Sequence, residues 1–256
     1  MKNSKEPRNP VSEQGFVRCI RLAREKVPGF QNYPFNIPAI RDLVQLDFDP
    51  AVTYLVGENG SGKSTLTEGI AVAVGLNPEG GSRNLNFASR ASHSQLGDYL
   101  RVERSFRNRE SDFFLRAESF YNVATQVEEL RVRGYGPRLL HNQSHGESFL
   151  SLMANRFWAQ GLYILDEPES ALSPNGCLAV IRLIHDRLAK GCQFIIATHS
   201  PIILSYPRST IYELTAAGIR EVTYEETQPY IVTKSFLADR ERFLSKLVKE
   251  PPPDGT

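Results

Sequence analysis

The sequence predicts an α/β fold in which strands and helices alternate along the chain. Two short apolar runs, 52–56 and 162–165, have the length of buried strands. Between them the apolar period changes to that of a helix, with Leu66, Ile70 and Val74 on one side. No internal repeat or sustained heptad pattern interrupts the alternation. We therefore expect a central sheet flanked by helices.

The bulk properties are those of an ordinary globular protein. Of the 256 residues, 41% are hydrophobic and 23% are charged, which excludes wholesale disorder and a fibre. The formal net charge of +1 gives no global attraction to nucleic acid or to an anionic membrane. We expect one domain, 13–248, between flexible tails at 1–12 and 249–256.

Two features concern the compartment. No stretch approaches the ~20 apolar residues of a membrane span, and the polar start lacks the apolar core of a secretion signal. Cys19, Cys177 and Cys192 are far apart and odd in number, so reduced, buried thiols are expected instead of a zinc or redox motif. These features predict a cytoplasmic protein without direct membrane insertion.

Taken in order, most of the chain receives an element. Strands are expected at 16–22, 44–48, 52–56, 113–115, 162–165 and 193–198, with a hairpin of 210–214 and 219–224 around Ala217-Gly218. Helices are expected from Lys63 to a stop at Gly75, and at 147–158, 178–188 and 234–248. The stretch 82–109 is polar and rich in arginine, and no element is assigned to it.

Three of these elements carry a predicted inner face. The first strand alternates Phe16, Arg18 and Ile20 with Val17, Cys19 and Arg21. The second places Val44, Leu46 and Phe48 together, and the helix 178–188 turns Leu178, Ile181, Ile184 and Leu188 inward.

A glycine-rich loop, Gly57-Glu58-Asn59-Gly60-Ser61-Gly62-Lys63-Ser64-Thr65, joins a buried strand to a helix. Its Gly-x₄-Gly-Lys-Ser spacing lets the backbone curl around an anion at the helix N-terminus. Lys63 supplies a point charge for the β- and γ-phosphates, and the Ser64 hydroxyl is placed to bind Mg²⁺. The predicted ligand is a nucleoside triphosphate, held by Gly57, Asn59, Gly60, Ser61, Gly62, Lys63, Ser64 and Thr65.

Acidic residues follow the strand 162–165. Asp166 is expected to hold Mg²⁺ through its hydration shell, and Glu167 to orient or deprotonate an attacking water. A solvated acidic turn is the alternative when this feature stands alone.

Two further polar segments lie at predicted element ends. The strand 193–198 ends at Thr198-His199, and His199 can donate to the γ-phosphate. Ser144-His145-Gly146-Glu147 precedes a helix, so it is either a second anion site or a plain serine N-cap.

The order of these motifs from 52 to 201 resembles the ATP-binding-cassette (ABC) ATPase superfamily, and most closely its RecF, Rad50 and SMC-like branch. The resemblance implies a P-loop NTPase head with a mixed central sheet, an N-terminal antiparallel β layer and a short helical subregion before the signature. It also implies Mg-dependent ATP hydrolysis, with Asp166 as the Walker B aspartate, Glu167 as the catalytic base and His199 as the switch histidine. Thr65 is implied to lie near the α-phosphate.

In that superfamily the signature, here Ser144, Gly146 and Glu147, contacts ATP bound to the other subunit. The resemblance therefore implies a head-to-tail homodimer that sandwiches two ATP molecules. His145 stands where the family usually has Gly, and Ser173 where its D-loop has Asp. The Q-loop residue is either Glu118, the favoured candidate and a further metal contact, or Gln95.

The target of such an ATPase is left open by the sequence. A DNA-associated clamp for repair or maintenance is favoured by arginines that outnumber Asp98 and Glu103, although an ordinary charged face is an equal alternative. These arginines are Arg83, Arg90, Arg101, Arg104, Arg107 and Arg109. An ATP-gated switch acting on a nuclease, toxin or other protein is the second hypothesis, and a transporter subunit is the third.

Two assignments stay ambiguous. Tyr33 and Phe35 can stack on the adenine base or serve as packing residues. The segment 233–247 can dock a partner or cover the sheet, and covering the sheet is the preferred interpretation.

Overall fold

The computed structural model of the chain describes residues 15–83, 94–129 and 143–248. Its strands are β1 (Val17–Leu22), β2 (Gln45–Asp47), β3 (Val52–Gly57), β4 (Leu100–Arg104), β5 (Ser111–Arg116), β6 (Gly161–Asp166), β7 (Gln193–Ala197), β8 (Thr210–Thr215) and β9 (Gly218–Val222). Its α-helices are α1 (Pro38–Arg41), α2 (Lys63–Ala73), α3 (Phe120–Glu129), α4 (His145–Arg156), α5 (Pro174–Leu188), α6 (Pro201–Leu204), α7 (Gln228–Ala238) and α8 (Arg240–Leu247).

The central sheet has the order β5-β6-β7-β3-β8-β9. Neighbouring strands from β5 through β8 are parallel, and β9 closes the edge as an antiparallel hairpin with β8. The carboxyl ends of β3, β6 and β7 therefore meet at one edge, where ligands bind in open α/β sheets. This mixed sheet confirms the predicted fold class, and the predicted hairpin around Ala217-Gly218 is present.

A smaller antiparallel sheet has the order β2-β1-β4. Its register shifts between Val17 and Cys19, so the alternation predicted for β1 is wrong: Arg18 and Arg21 are exposed, while Cys19 and Ile20 are both buried. This sheet is the N-terminal β layer that the sequence resemblance implied.

Helix α2 packs between the two sheets. Leu66, Ile70 and Val74 are buried, and the chain turns away at Gly75 with a φ of +90°, as predicted. The opposite face of the central sheet carries a second core, in which Tyr54, Tyr163 and Phe194 lie under α4 and α5. The three free cysteines are all buried, which confirms their predicted environment.

Trp158 follows α4 at the amino end of β6. Its indole Nε1 donates to the carbonyl oxygen of Asn155 over 2.7 Å, and its own carbonyl oxygen accepts from the Tyr163 hydroxyl at 2.9 Å. It is the only tryptophan of the chain.

Several predicted faces and bounds are wrong. Val44 is 70% exposed and precedes β2, while Leu46 and Phe48 are buried. Leu178 is exposed, because α5 begins earlier, at a Ser173 cap with Pro174 in its first turn, and turns Cys177, Val180 and Ile184 inward.

The predicted helix 234–248 is two helices, α7 and α8, which meet at Asp239. The Asp239 carboxylate accepts from the backbone N–H of Arg242 at 3.0 Å and caps α8. Neither helix contains a buried residue, so the expectation that this segment covers the sheet is wrong. The exposed apolar side chains of α7, of α8 and of the residue that follows α8 are Ile231, Val232, Leu237, Leu244, Leu247 and Val248.

The predicted tails 1–12 and 249–256, and Arg90, lie outside the described residues. Within the described ranges, none of the helices combines the length and the apolar character that crossing a membrane requires.

Candidate active site

The phosphate loop depends on glycine at two positions where another residue would collide. At Gly57, with a φ of +151°, a Cβ would lie 2.4 Å from the carbonyl oxygen of Leu214. At Gly62, with a φ of +98°, it would lie 2.7 Å from Ile37 Cγ2. Gly62 is the N-cap of α2, so the loop leaves the positive end of that helix directed at the space above it.

Lys63 lies folded within the loop. Its Nζ donates to the carbonyl oxygens of Gly57 (3.0 Å) and Glu58 (3.1 Å), and its side chain is buried. Burial lowers the pKa of the ammonium group, and the nearby carboxylates of Glu167 and Asp166 oppose that shift. The position is suited to a phosphate oxygen, which would replace weaker carbonyl contacts.

Asp166 ends β6 as a buried carboxylate. Burial raises its pKa to about 6, while Arg116 and the Ser64 hydroxyl act to lower it. Its Oδ1 is buried and has no hydrogen-bond partner among the described residues. An orphaned carboxylate oxygen beside a serine hydroxyl fits a Mg²⁺ ion, which takes one or two protein oxygens and completes its shell with water and phosphate. Within the described ranges there is no cluster of three acidic, histidine or cysteine ligands that would suggest another metal.

Arg116, at the end of β5, lies in the candidate site, and its position there was not predicted from the sequence. Its Nη1 lies 2.7 Å from Glu68 Oε2, and its Nε lies 3.4 Å from Asp166 Oδ2. Its Nη2 is 3.6 Å from Glu118 Oε2, whose side chain is 85% exposed. Glu118 is thus linked to Asp166 through one guanidinium.

Gln95 lies elsewhere. It begins a 3₁₀ turn, Gln95–Tyr99, that packs along the later turns of α2, where a Cβ on Gly97 would meet Val72. The phosphate loop is at the opposite end of that helix. Of the two Q-loop candidates, Glu118 is therefore the one placed beside the acidic end of β6.

Glu167 and His199 face each other where β6 and β7 end. Oε1 of Glu167 lies 3.5 Å from Nε2 of His199. Glu167 has a left-handed backbone (φ +49°), and its N–H donates to the carbonyl oxygen of Ala197 at 2.9 Å. Nε2 of His199 is buried without a hydrogen-bond partner among the described residues, so it is available to a ligand in the cleft. Glu169 contacts the backbone of His199 and was also missed from the sequence.

The segment 144–147 forms the N-terminal turn of α4. Ser144 and Glu147 make a capping box, in which Ser144 N–H donates to Glu147 Oε2 at 3.0 Å and Glu147 N–H donates to Ser144 Oγ at 3.4 Å. A Cβ on Gly146 would lie 3.1 Å from the carbonyl oxygen of Ala171. The cap that the sequence offered as an alternative is therefore present. Ser144, Gly146 and Glu147 do not line the cleft at the phosphate loop of their own chain.

A cleft of about 910 Å³ opens above the loop. Its lining includes Glu58, Asn59, Gly60 and Ser61 of the loop, together with His199. The start of α7 also lines this cleft, with Gln228, Pro229, Val232 and Thr233, and the sequence did not predict this.

The two aromatic candidates for the base separate clearly. Tyr33 is 62% exposed, and its hydroxyl lies 3.2 Å from Thr65 Oγ1. Phe35 is buried and packs edge-on against Tyr99 at 4.9 Å between ring centroids. Phe35 is a core residue, and Tyr33 is free to contact a nucleotide.

Some known proteins resemble this chain in sequence, and solved structures resemble it in fold. A family model described as an AAA domain matches residues 29–145. The energy-coupling factor transporter ATP-binding protein EcfA of Methanosphaera stadtmanae is 26% identical, with 66% of this chain and 67% of that protein covered. The cytochrome c biogenesis ATP-binding export protein CcmA of Sodalis glossinidius is 26% identical, with 65% and 88% covered.

A third relative and a solved structure complete the comparison. Structural maintenance of chromosomes protein 6 of Schizosaccharomyces pombe is 26% identical over 105 residues, which are 38% of this chain and 9% of that protein. The structure of a metal-chelate type ABC transporter in an inward-facing conformation superposes with a TM-score of 0.50 at 18% identity, covering 85% of this chain and 87% of that one. This likeness shows a shared fold.

Proposed function

We propose that this chain is an ATPase of the ATP-binding-cassette superfamily and that it hydrolyses Mg-ATP between two copies of itself. The observation that carries the proposal is the 3.5 Å approach of Glu167 to His199 beside the loop that holds Lys63. A carboxylate, an imidazole and a phosphate-binding ammonium then share one sheet edge, as phosphoryl transfer to water requires.

Each residue has a role in this proposal. Lys63 and the loop N–H groups bind the β- and γ-phosphates, with Thr65 near the α-phosphate. Ser64 and Asp166 hold Mg²⁺, with Glu118 as an outer contact; the ion neutralises phosphate charge. Glu167 accepts the proton of the attacking water, and His199 donates to the γ-phosphate from its unpartnered Nε2.

In this proposal, the second copy contributes its signature residues to the ATP site of the first. Ser144, Gly146 and Glu147 sit at the N-terminus of α4, which is a suitable anion site. A partner related by two-fold symmetry would bring them to the opposite ATP, which completes both sites at once.

Light scattering of a Glu167→Gln variant tests the sandwich, because this variant binds ATP without turning it over. We expect a dimer at saturating Mg-ATP and a monomer with ADP. Ser144→Arg added to Glu167→Gln should abolish the dimer while leaving the ATP affinity of the monomer unchanged, since the arginine blocks only the partner's site. A monomer for Glu167→Gln at saturating Mg-ATP refutes the sandwich.

A cluster of arginines favours a DNA-associated role for this ATPase. Arg83, Arg104, Arg107 and Arg109 line a cleft of about 330 Å³. The buried carboxylate of Asp112 pairs with Arg83 and Arg109. The neighbouring Phe106 is fully exposed. Guanidinium groups beside an exposed aromatic ring suit phosphates and bases.

Arg101 provides a matched control for that role. It lies on β4 like Arg104, but it pairs with Glu25 and does not line the cleft. We expect Arg104→Glu with Arg107→Glu to weaken duplex DNA binding and to reduce its salt dependence, whereas Arg101→Glu does neither. Equal effects of both changes, or no DNA binding by the parent chain, would reject the DNA-associated role.

The alternative is an ATP-gated switch that controls another protein. The exposed apolar side chains of α7 and α8 favour it, since α7 begins in the wall of the ATP cleft. The relatives EcfA and CcmA are named as components of a transporter and an export system, but the signature departure at His145 makes a transporter subunit the least favoured role. Three buried free thiols suit the reducing cytoplasm, where we place the protein.

A further inference from the structure

We propose that Glu169 is a positioning residue that fixes His199 opposite Glu167; this rests on the role proposed above for His199. Glu169 lies in the 3₁₀ turn Pro168–Ala171, two residues after Glu167. Its Oε2 accepts a hydrogen bond from the Thr198 hydroxyl at 2.7 Å, and its Oε1 accepts one from the backbone N–H of His199. One side chain thus ties the turn after β6 to the turn after β7.

Together with a backbone hydrogen bond of Glu167, these contacts hold the end of β7 from two sides. Below it, the N–H of Glu167 donates to the carbonyl oxygen of Ala197 at 2.9 Å. Above it, Glu169 holds Thr198 and His199, and Thr198 Oγ1 also accepts from the N–H of Ser200 at 3.0 Å. The backbone from 197 to 200 is therefore fixed relative to Glu167 on both sides.

These contacts limit where the imidazole of His199 can lie. Nε2 of His199 has no hydrogen-bond partner among the described residues, so the ring itself does not hold its position. The backbone at 199 is the origin from which the ring reaches its separation of 3.5 Å from Glu167, so holding that backbone restricts the separation. A displacement of about 1 Å in a catalytic group can cost a hundredfold in rate, so the anchor of that backbone affects turnover.

A carboxylate at position 169 has an electrostatic cost that its own contacts must offset. Glu169 lies close enough to Lys63 to act on the pKa of its ammonium group, and its negative charge would oppose the phosphates of ATP. Two accepted hydrogen bonds, one of them from a backbone N–H, offset that cost. Gln at this position keeps an acceptor for the His199 N–H and can donate to Thr198 Oγ1, so geometry and charge can be separated.

Glu226 makes the same pair of contacts in a purely local setting. It accepts from the N–H and the hydroxyl of Thr223, both at 2.8 Å, within one capping box. Glu169 instead reaches residues 29 and 30 positions away. Glu226→Ala is therefore a control for the loss of such a carboxylate where both contacts stay within one turn and reach neither Thr198 nor His199.

Steady-state kinetics of the full chain test the inference through a double-mutant cycle. The variants are Glu169→Ala, Glu169→Gln, His199→Ala, Glu169→Ala with His199→Ala, and Glu226→Ala, each with a melting temperature to confirm folding. We expect Glu169→Ala to lower kcat about tenfold or more with little change in KM, and Glu169→Gln and Glu226→Ala to stay within about twofold of the parent. In the His199→Ala background, Glu169→Ala should cause no further loss.

The outcomes separate the two proposals. If His199→Ala lowers kcat but Glu169→Ala is silent, or adds its full loss to that of His199→Ala, then Glu169 does not act through His199 and the inference fails alone. If His199→Ala has the parent kcat, the proposed role of His199 fails and the inference fails with it. If Glu169→Ala does not fold, Glu169→Asp takes its place, because the shorter aspartate cannot reach both donors. We expect the same loss in kcat, and a kcat equal to that of the parent would refute the inference.

Discussion

The guanidinium Nε of Arg116 lies 3.4 Å from Oδ2 of Asp166, so a fixed cation is built in beside the carboxylate expected to hold Mg²⁺. The same guanidinium lies 2.7 Å from Oε2 of Glu68, on α2. Both carboxylates are largely buried, and this arginine is their shared counter-charge.

Replacing Arg116 by Met should therefore destabilise the protein strongly. Two buried carboxylates lose their partner, and removing one side of a buried ion pair costs roughly 3–5 kcal/mol. Urea unfolding followed by circular dichroism measures this loss. Arg182→Met breaks an exposed pair with Asp186 and should change the unfolding free energy by less than about 1 kcal/mol. Equal losses in the two variants would contradict a structural role for Arg116.

Asp166→Asn should stabilise the metal-free protein, but only above acidic pH. Because burial raises the pKa of Asp166 to about 6, its ionisation costs stability as the pH rises from the unfolded value of about 3.9 to about 6. Above that window the cost is constant, at most about 3 kcal/mol; below it the carboxyl is neutral in both states. Thermal melts in EDTA should show the variant above the parent at pH 8 and equal to it at pH 4. A difference that does not depend on pH would refute the linkage.

Gly57→Ala should disable the phosphate loop. The added Cβ would sit 2.4 Å from a backbone oxygen, and the φ of +151° is strained for alanine, which together cost roughly 1–3 kcal/mol. The loop must move, so we expect ATP affinity to fall at least about tenfold in calorimetry. Gly29→Ala is the control, because no heavy atom lies within 4 Å of its added Cβ. Unchanged ATP affinity in Gly57→Ala would contradict the predicted collision.

Tyr33→Ala should weaken ATP binding without affecting the fold. The ring is exposed and its hydroxyl lies 3.2 Å from Thr65 Oγ1, so it is positioned to stack on the base. Losing one stacked base costs roughly 1–3 kcal/mol, or about 5- to 150-fold in the Kd measured in the Glu167→Gln background. Tyr33→Phe keeps the ring and should stay within about twofold. If Phe weakens binding as much as Ala, the hydroxyl rather than the ring carries the contact.

The sequence predicted the strands of the central sheet and two strands of the small sheet, β1 and β2, but it missed β4 for a physical reason. Apolar runs such as those of β3 and β6 are buried on both faces and carry their own signal. Strand β4 (Leu100–Arg104) has mostly polar, partly exposed residues and is defined by its pairing with β1, which local sequence does not encode. The breaks at Ser173 and Asp239 did carry a cap signal that the helix predictions overlooked.

The site residues also divide into those that local sequence predicts and those that it does not. The glycine loop, Asp166 and His199 follow from motif order, because each motif is short and local. Arg116 and Glu169 could not be found that way, since their contacts join residues tens of positions apart. What marks them in retrospect is chemical: a charged residue ending an otherwise apolar strand, and an acid beyond the pair already assigned.

The position of Trp158 has a consequence for optical experiments. It lies at the amino end of β6 and Asp166 at the carboxyl end, roughly 17 Å along the strand. Intrinsic tryptophan emission therefore reports on the far side of the sheet and stays silent when nucleotide binds. A Tyr33→Trp change in a Trp158→Phe background moves the fluorophore to the base, where stacking quenches it and each binding event becomes visible.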